Sequence, residues 1–228
     1  MNQKISAKKY QKMVEDLKNY QDNSFVPDNE EDFKRLKETI KVDKYFDLLP
    51  NISVEQGWKF DYGYHKDQYG GAPRIFAYKE CDEKELARNK YLPPDKGDNY
   101  LKHISLDGSA DSFLQYIILK LLGEQFALFW HSLYNDKEIV FTQNAVEEIL
   151  NRDSDKINFD EKFIEAAKKI KPNPYVKIDI EKVLVRIVIF TKWGGFIEHK
   201  YQINKSSPHE ITNKEEKTLV EYRCGIRY

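Results

Sequence analysis

The sequence predicts an α+β fold in which a largely antiparallel sheet of about five to eight strands is covered by helices mainly on one face. Three observations support this class. Apolar residues recur at helical spacing in separate clusters, period-two alternation marks residues 58–79 and much of 175–228, and short turns join the strand-like segments. Such turns favour antiparallel hairpins, because parallel strands need long crossover connections.

The chain of 228 residues is long enough to bury one substantial core, and we expect a single domain over residues 1–228. A weaker sub-boundary is expected near residues 90–100, where Pro93, Pro94 and Gly97 interrupt a charged stretch. The composition is aromatic-rich, with 15 Tyr, 13 Phe and 3 Trp, which excludes wholesale disorder.

Two amphipathic helices are predicted first. Residues 5–20 carry one apolar stripe, and a second helix begins after Asp28 or Asn29, either of which can cap it. The two stripes consist of Tyr10, Met13, Val14 and Leu17, and of Phe33, Leu36 and Ile40.

A β-hairpin follows, because the hydrophobic period changes to two after Gly57. Polar residues or Gly63 separate the aromatic positions of its first strand, which are Trp58, Phe60, Tyr62 and Tyr64. A turn region at residues 70–73 leads into the return strand, residues 74–79, so the hairpin is expected to have a long polar tip.

Residues 112–122 predict a buried helix, since only Ser112, Gln115 and Lys120 are polar. Asp107 or Asp111 is expected to cap its beginning and Gly123 to end it. The aromatic segment that follows, residues 124–142, predicts a second β-hairpin.

Two short helices are predicted next from capping-box patterns. One pattern pairs Asn144 with Glu147 and the other pairs Asn158 with Glu161. Prolines then end the helical region, and the remaining chain is strand-like over residues 175–180, 183–191, 196–203 and 218–228.

The segment 183–191 is apolar on both faces, which is typical of a central strand. Arg186 is the charged residue within it and needs a carboxylate partner or a bound anion. An ion pair with Glu198 or Glu221 on a neighbouring strand is the expected arrangement.

Charge and composition favour a soluble cytoplasmic protein. The formal net charge is −1, which disfavours a dedicated nucleic-acid-binding protein and gives no general attraction to membranes. No apolar run is long enough to span a bilayer, and no secretory leader is evident. Cys81 and Cys224 are far apart in sequence and are expected to be reduced thiols.

Specific catalytic motifs are missing from the sequence. It contains no phosphate-binding glycine loop, dinucleotide fingerprint, His-Glu-x-x-His zinc motif, Gly-x-Ser-x-Gly elbow or Cys-x-x-Cys pair. This disfavours NTPases, Rossmann dehydrogenases, zincins and α/β-hydrolases, and we expect no cofactor and no metal site.

Five histidines are the remaining candidates for chemistry: His65, His103, His131, His199 and His209. If the strand before the buried helix pairs with the strand after it, His103, Asp107 and His131 converge as two imidazoles and a carboxylate. The structural alternative makes Asp107 a helix cap and both histidines half-buried strand residues.

The tip of the first hairpin is the preferred binding candidate, because tyrosines with one arginine supply large contact areas at low entropic cost. Its candidate residues, with an exposed tryptophan at a later turn, are Tyr62, Tyr64, His65, Asp67, Tyr69, Arg74 and Trp193. The alternative is a solvated loop whose tyrosines pack on the sheet beneath it.

These observations favour a non-catalytic cytoplasmic protein that binds another protein and regulates or neutralises it. The alternative is a hydrolase or transferase that uses His103 and Asp107, with or without a metal ion. A third hypothesis, a nucleic-acid adaptor using the N-terminal lysines and the Trp193 turn, lacks a supporting global charge.

Overall fold

The computed structural model describes residues 2–3, 5–79, 99–132, 137–152 and 159–222. Within them the fold is α+β with antiparallel sheets, as predicted. The expected sub-boundary near residues 90–100 falls almost entirely outside the described residues, as do both cysteines. No helix in the described ranges is long and apolar enough to cross a membrane.

The helices are Ala7–Gln21 (α1), Glu30–Thr39 (α2), Lys44–Leu48 (α3), Ala110–Leu122 (α4), Gln143–Leu150 (α5) and Glu161–Ala167 (α6), with a 3₁₀ turn at Tyr100–His103. The strands are Asn2–Gln3 (β1), Ile52–Val54 (β2), Trp58–Lys66 (β3), Gly70–Lys79 (β4), Ile104–Leu106 (β5), Phe129–Trp130 (β6), Glu138–Val140 (β7), Tyr175–Ile178 (β8), Lys182–Thr191 (β9), Gly195–Asn204 (β10) and Ile211–Val220 (β11).

The main sheet has the order β1-β8-β9-β10-β11, with β7 also paired to β9. β9 and β10 pair along their whole length, from Thr191 opposite Gly195 to Lys182 opposite Asn204. The other side of β9 is shared, since β8 lies against its first half and β7 against residues 188–190. β9 is therefore the predicted central strand.

Both faces of β9 are buried, but in different clusters. Val185 and Ile187 belong to the main core, which α1 to α4 also contribute to, whereas Val188 and Phe190 pack with α5 and α6. Arg186 is only 9% exposed, and its Nε donates to Glu198 Oε2 over 2.8 Å. Its Nη1 donates to two backbone carbonyls, so the predicted structural ion pair is confirmed.

α4 is the predicted buried helix, and along it only Asp111 and Lys120 are not fully buried. The expected cap was wrong. Ser109 is the N-cap, and its Oγ accepts from the Ser112 backbone N–H over 3.1 Å. Asp107 instead accepts from the Ser109 backbone N–H over 2.8 Å, so it orders the turn before the helix.

The caps of α5 and α6 also differ from the predicted ones. Thr142 Oγ1 accepts from the Ala145 backbone N–H over 3.2 Å, and Asp160 Oδ1 accepts from that of Phe163 over 2.7 Å. Each helix begins two residues away from where the capping-box pattern placed it, because several Ser, Thr, Asp and Asn residues near a helix start can all act as caps.

The predicted hairpin over residues 124–142 does not form. β6 pairs with β4, and β7 pairs with β9, so the two strands belong to different sheets. Alternation indicates that a segment is extended but does not identify its partner. The last strand also differs: it begins at Ile211 and ends at Val220, whereas a strand over 218–228 was expected, and residues 223–228 lie outside the described part.

Candidate functional site

The far end of the β3–β4 hairpin is a three-stranded ribbon, because β6 pairs there with Gly70 and Gly71. The turn itself is short. Asp67 Oδ1 accepts from the backbone N–H groups of Tyr69 and Gly70, over 2.7 and 3.0 Å, and its backbone N–H donates to the Gly70 carbonyl. These backbone hydrogen bonds, led by that of Tyr69, lower the pKa of the Asp67 carboxyl. Most of the expected long polar tip is therefore ordered strand.

Two large aromatic side chains are exposed on this ribbon. Tyr69 is 61% exposed and Trp130 is 49% exposed, whereas only Tyr175 and Ile180 are comparably exposed hydrophobics elsewhere in the described chain. Gly70, the neighbour of Tyr69, pairs directly with Trp130. The two aromatics therefore lie on neighbouring segments of the ribbon. We call Tyr69, Trp130 and the adjoining His65 and Arg74 the tip surface.

The backbone beneath Trp130 adopts an uncommon conformation. Trp130 has φ of 47°, in the left-handed region, and so does Ala127 three residues earlier. For non-glycine residues this conformation costs about 1 to 2 kcal/mol, so the surrounding contacts must fix it.

Those contacts come from the predicted binding residue Tyr64 and from Ser24. The Tyr64 hydroxyl donates to the Ala127 carbonyl over 2.6 Å, and Ser24 Oγ accepts from the Ala127 backbone N–H over 2.8 Å. Tyr62 is 1% exposed and donates to the Ile40 carbonyl over 3.3 Å. Both tyrosines therefore hold the ribbon in place from beneath, which corrects their expected role as contact residues.

Several charged side chains contact the same ribbon. Arg74 Nη1 lies 3.2 Å from Glu124 Oε2, and the other oxygen of that carboxylate accepts from the Ile75 backbone N–H over 2.8 Å. Lys66 Nζ lies 4.6 Å from the centre of the Phe129 ring, and His65 is largely exposed. The ribbon thus combines two exposed aromatic residues with charged and polar side chains, a composition that is found at protein interfaces.

Trp193 belongs to the main sheet and not to this ribbon. It belongs to the tight turn between β9 and β10, where Thr191 Oγ1 accepts from the Gly194 backbone N–H over 3.0 Å. Its side chain is half-buried, so it was wrong to expect an exposed tryptophan.

The strand pairing that would bring the candidate catalytic residues His103, Asp107 and His131 together does not occur. β5 pairs with β2, so the strand before α4 does not pair with the strand after it. His103 stacks on Trp58 at 3.5 Å between ring centres, and His131 contacts the Trp130 ring. The three residues have separate neighbours, and among the described residues no group of His, Cys, Asp and Glu could hold a metal ion.

Asp107 has a structural environment. Although partial burial opposes its ionisation, hydrogen bonds from Ser109 and Asn51 lower the pKa of its carboxyl to about 2. Its Oδ2 accepts from Asn51 Nδ2 over 3.0 Å. An aspartate held in this way is a strong acceptor and a weak base, so it is poorly suited to general-base catalysis.

Sequence reasoning named His199 only as one of five histidines and missed the polar group around it. His199 is 2% exposed, its Nδ1 lies 2.9 Å from the Tyr201 hydroxyl, and its Nε2 lies 3.4 Å from Glu216 Oε1. Burial, and then the nearby charge of Lys214, lower the pKa of its imidazole to about 4. The partners on β11 were missed because residues 212–217 are polar on both faces and show no alternation.

Comparison with known proteins adds no further constraint, since no family model, curated protein or solved structure matches this chain.

Proposed function

We propose that this chain is a non-catalytic cytoplasmic protein that binds another protein through the tip surface and so regulates or neutralises that partner. The observation that carries the proposal is the exposure of Tyr69 and Trp130 on neighbouring segments of one ribbon. Exposed tyrosine and tryptophan are the residues that most often dominate interface energetics.

Pre-organisation of the ribbon supports the same proposal. Tyr64 and Ser24 hold Ala127 by hydrogen bonds at both its backbone groups, close to the left-handed Trp130. A contact surface that is already ordered loses little conformational entropy on binding, so more of its contact energy contributes to affinity. Backbone strain of this kind is found preferentially at functional sites.

The alternative, a His/Asp hydrolase or transferase, has less support. His103, Asp107 and His131 have separate neighbours, and Asp107 is engaged by Asn51 and Ser109. The net charge of −1 gives a nucleic-acid adaptor no general attraction to phosphate backbones.

A pair of double variants tests the proposal. Tyr69→Ser with Trp130→Asn removes both aromatics, and asparagine tolerates the left-handed backbone at position 130. Tyr175→Ser with Ile180→Ser removes the other two exposed large hydrophobics and is the matched control. We expect a partner captured from native cytosol to bind the tip variant at least about 100-fold more weakly in calorimetry, because hot-spot truncations cost about 2 kcal/mol or more each.

The control variant should bind as tightly as the unmodified protein. Equal losses in both variants, or the recovery of no stoichiometric partner from the native cytosol, would contradict the proposal.

A further inference from the structure

The face of the main sheet that carries Val188 and Phe190 is covered only at one end. These residues and Phe196, which lies opposite Phe190, pack with α5 and α6. The strand register continues the same face away from the two helices, to Leu184 on β9 and to the strands beside it. The described side chains there are mostly exposed or half-buried. We call this part, which carries Tyr175, Lys177, Lys182, Lys200 and Lys217, the open face.

Two lysines of the open face lie near Leu184. Lys177 on β8 lies directly opposite it, so the two side chains share a face. Lys182 precedes Leu184 by two residues on β9, and its Nζ lies 3.3 Å from Oε1 of Gln202, the β10 residue opposite Leu184. Both ammonium groups therefore belong to this side of the sheet.

Two further lysines continue the open face across β10 and β11. Lys200 lies opposite Arg186, and its Nζ is 3.4 Å from Glu198 Oε1. Lys217 lies on β11 opposite Glu198 and is exposed. Neighbouring strands are about 5 Å apart, so the lysines of β8 to β11 spread positive charge over about 15 Å across the sheet.

A cavity of about 520 Å³ extends the open face towards α6. Its described lining contains Arg186, the three lysines Lys162, Lys169 and Lys171, and one carboxylate, Glu165. Arg186 Nη1 donates to the Lys171 carbonyl over 2.8 Å, which holds the segment between α6 and β8 against β9. The cavity and the open face are therefore parts of one surface.

Positive charge exceeds negative charge on this surface. It carries seven lysines and Arg186, whereas five carboxylates lie on it or beside it: Glu165, Asp179, Glu181, Glu198 and Glu215. Eight cations against five carboxylates leave an excess of three positive charges, which the net charge of −1 for the whole chain hides. Within the described part of the chain, four of the lysines have no ion pair: Lys162, Lys169, Lys171 and Lys217.

Tyr175 supplies an exposed aromatic ring on the same surface. It is 36% exposed, lies opposite Arg186, and precedes Lys177 by two residues on β8. An aromatic ring among cations on an exposed sheet is the arrangement on which unpaired bases stack while lysines contact the phosphates. Cations spread over several strands fit a chain of phosphates better than a single small anion.

We propose that the open face and its cavity bind single-stranded nucleic acid, with Tyr175 stacked on a base and the lysines in contact with successive phosphates. Binding of this kind depends on charge and stacking and needs no sequence-specific hydrogen bonds. The site lies on a different sheet from the tip surface and does not depend on the proposed function.

Fluorescence anisotropy of the full chain tests the lysines, with labelled oligouridylate and oligothymidylate of about 12 nucleotides as probes. The logarithm of the affinity should fall with the logarithm of the salt concentration, by about 0.7 for each phosphate contacted. Lys171→Gln with Lys217→Gln should make this slope shallower by about 1.4 and weaken binding at least about 10-fold. Lys8→Gln with Lys41→Gln removes the same charge from exposed positions on α1 and after α2, and this matched control should leave the slope unchanged.

Tyr175 has a different expected signature. Tyr175→Ser should weaken binding about 5-fold or more but leave the salt slope unchanged, because stacking releases no counterions. Tyr175→Phe keeps the ring and should bind like the unmodified protein.

No binding of either oligonucleotide, equal losses in the two lysine variants, or unchanged binding by Tyr175→Ser would overturn the proposal. Duplex DNA of the same length that binds as tightly as the single strands would also overturn it, because the bases of a duplex are not free to stack on Tyr175. Binding only to vesicles that contain phosphatidylserine would show that the surface recognises a membrane instead.

Discussion

His199 shows how one buried side chain couples the stability of this fold to pH. Its imidazole is 2% exposed and faces Tyr201, Glu216, Lys214 and Lys137 from three strands or strand ends. Burial is the largest cause of its lowered pKa, because the charged form would lose its water. The fold therefore keeps this histidine neutral.

Acid should destabilise the protein through this residue. The pKa of His199 is about 4 in the fold and 6.5 in an unfolded chain, so the unfolded chain takes up the proton first as the pH falls. The contribution of the neutral His199 to the free energy of unfolding is complete above pH 6.5 and is lost as the pH drops towards 4. We expect a loss of up to about 3 kcal/mol in the free energy of unfolding, measured by urea titration at several pH values.

His199→Gln should remove most of this dependence, while His65→Gln, at a largely exposed position, should leave it unchanged. The dependence that remains comes partly from His209, whose pKa is also lowered by burial. Identical pH profiles for His199→Gln and the unmodified protein would show that another group causes the acid sensitivity.

At the scale of elements, the β9–β10–β11 meander depends on a close approach of backbones at Gly195. Gly195 has φ of 76°, and a Cβ there would collide with the Val220 carbonyl oxygen and lie 2.6 Å from the Tyr222 nitrogen. Neither neighbour can move away without separating the end of β11 from β10, because both belong to the backbone.

Gly195→Ala should therefore lower the free energy of unfolding by about 2 to 4 kcal/mol, since it adds a steric collision to the left-handed strain. Gly57→Ala is the matched control: its φ is 84°, but a Cβ there would meet nothing within 4 Å. The control should lose only about 1 kcal/mol. Chemical denaturation compares the two, and equal losses would show that the backbone approach at Gly195 contributes little.

Local sequence patterns decide which of these helices and strands could be predicted. β9 and α4 could be predicted because their burial is visible in local patterns: both faces of 183–191 and nearly all of 112–122 are apolar. β11 could not, because seven consecutive residues, 212–218, are exposed and leave no alternation to detect. The pairing of β6 with β4 and of β7 with β9 depends on residues more than 40 positions apart, which no local signal reports.

The features of the candidate site also differ in whether local patterns could predict them. The hairpin and its exposed Tyr69 follow from alternation and turn composition. The burial of Tyr62 and the hydrogen bond of Tyr64 depend on Ile40 and Ala127, residues that only the tertiary fold brings near. Trp130 was not among the sequence candidates, because its position beside the hairpin depends on the pairing of β6 with β4.

The whole molecule consists of a structural core and a peripheral ribbon that carries the tip surface. The main sheet and α4 form the core, and the tip surface presents the exposed aromatics.

Site-specific photo-crosslinking tests directly whether the tip surface contacts a partner protein. A photoreactive benzoyl-phenylalanine replaces Tyr69 in one variant. In the control variant it replaces Tyr175, which is also exposed, and both variants are irradiated in native cytosol. We expect one predominant protein adduct at position 69 and none of comparable yield at position 175. No adduct at position 69, or the same adduct in equal yield at both positions, would contradict the proposed contact.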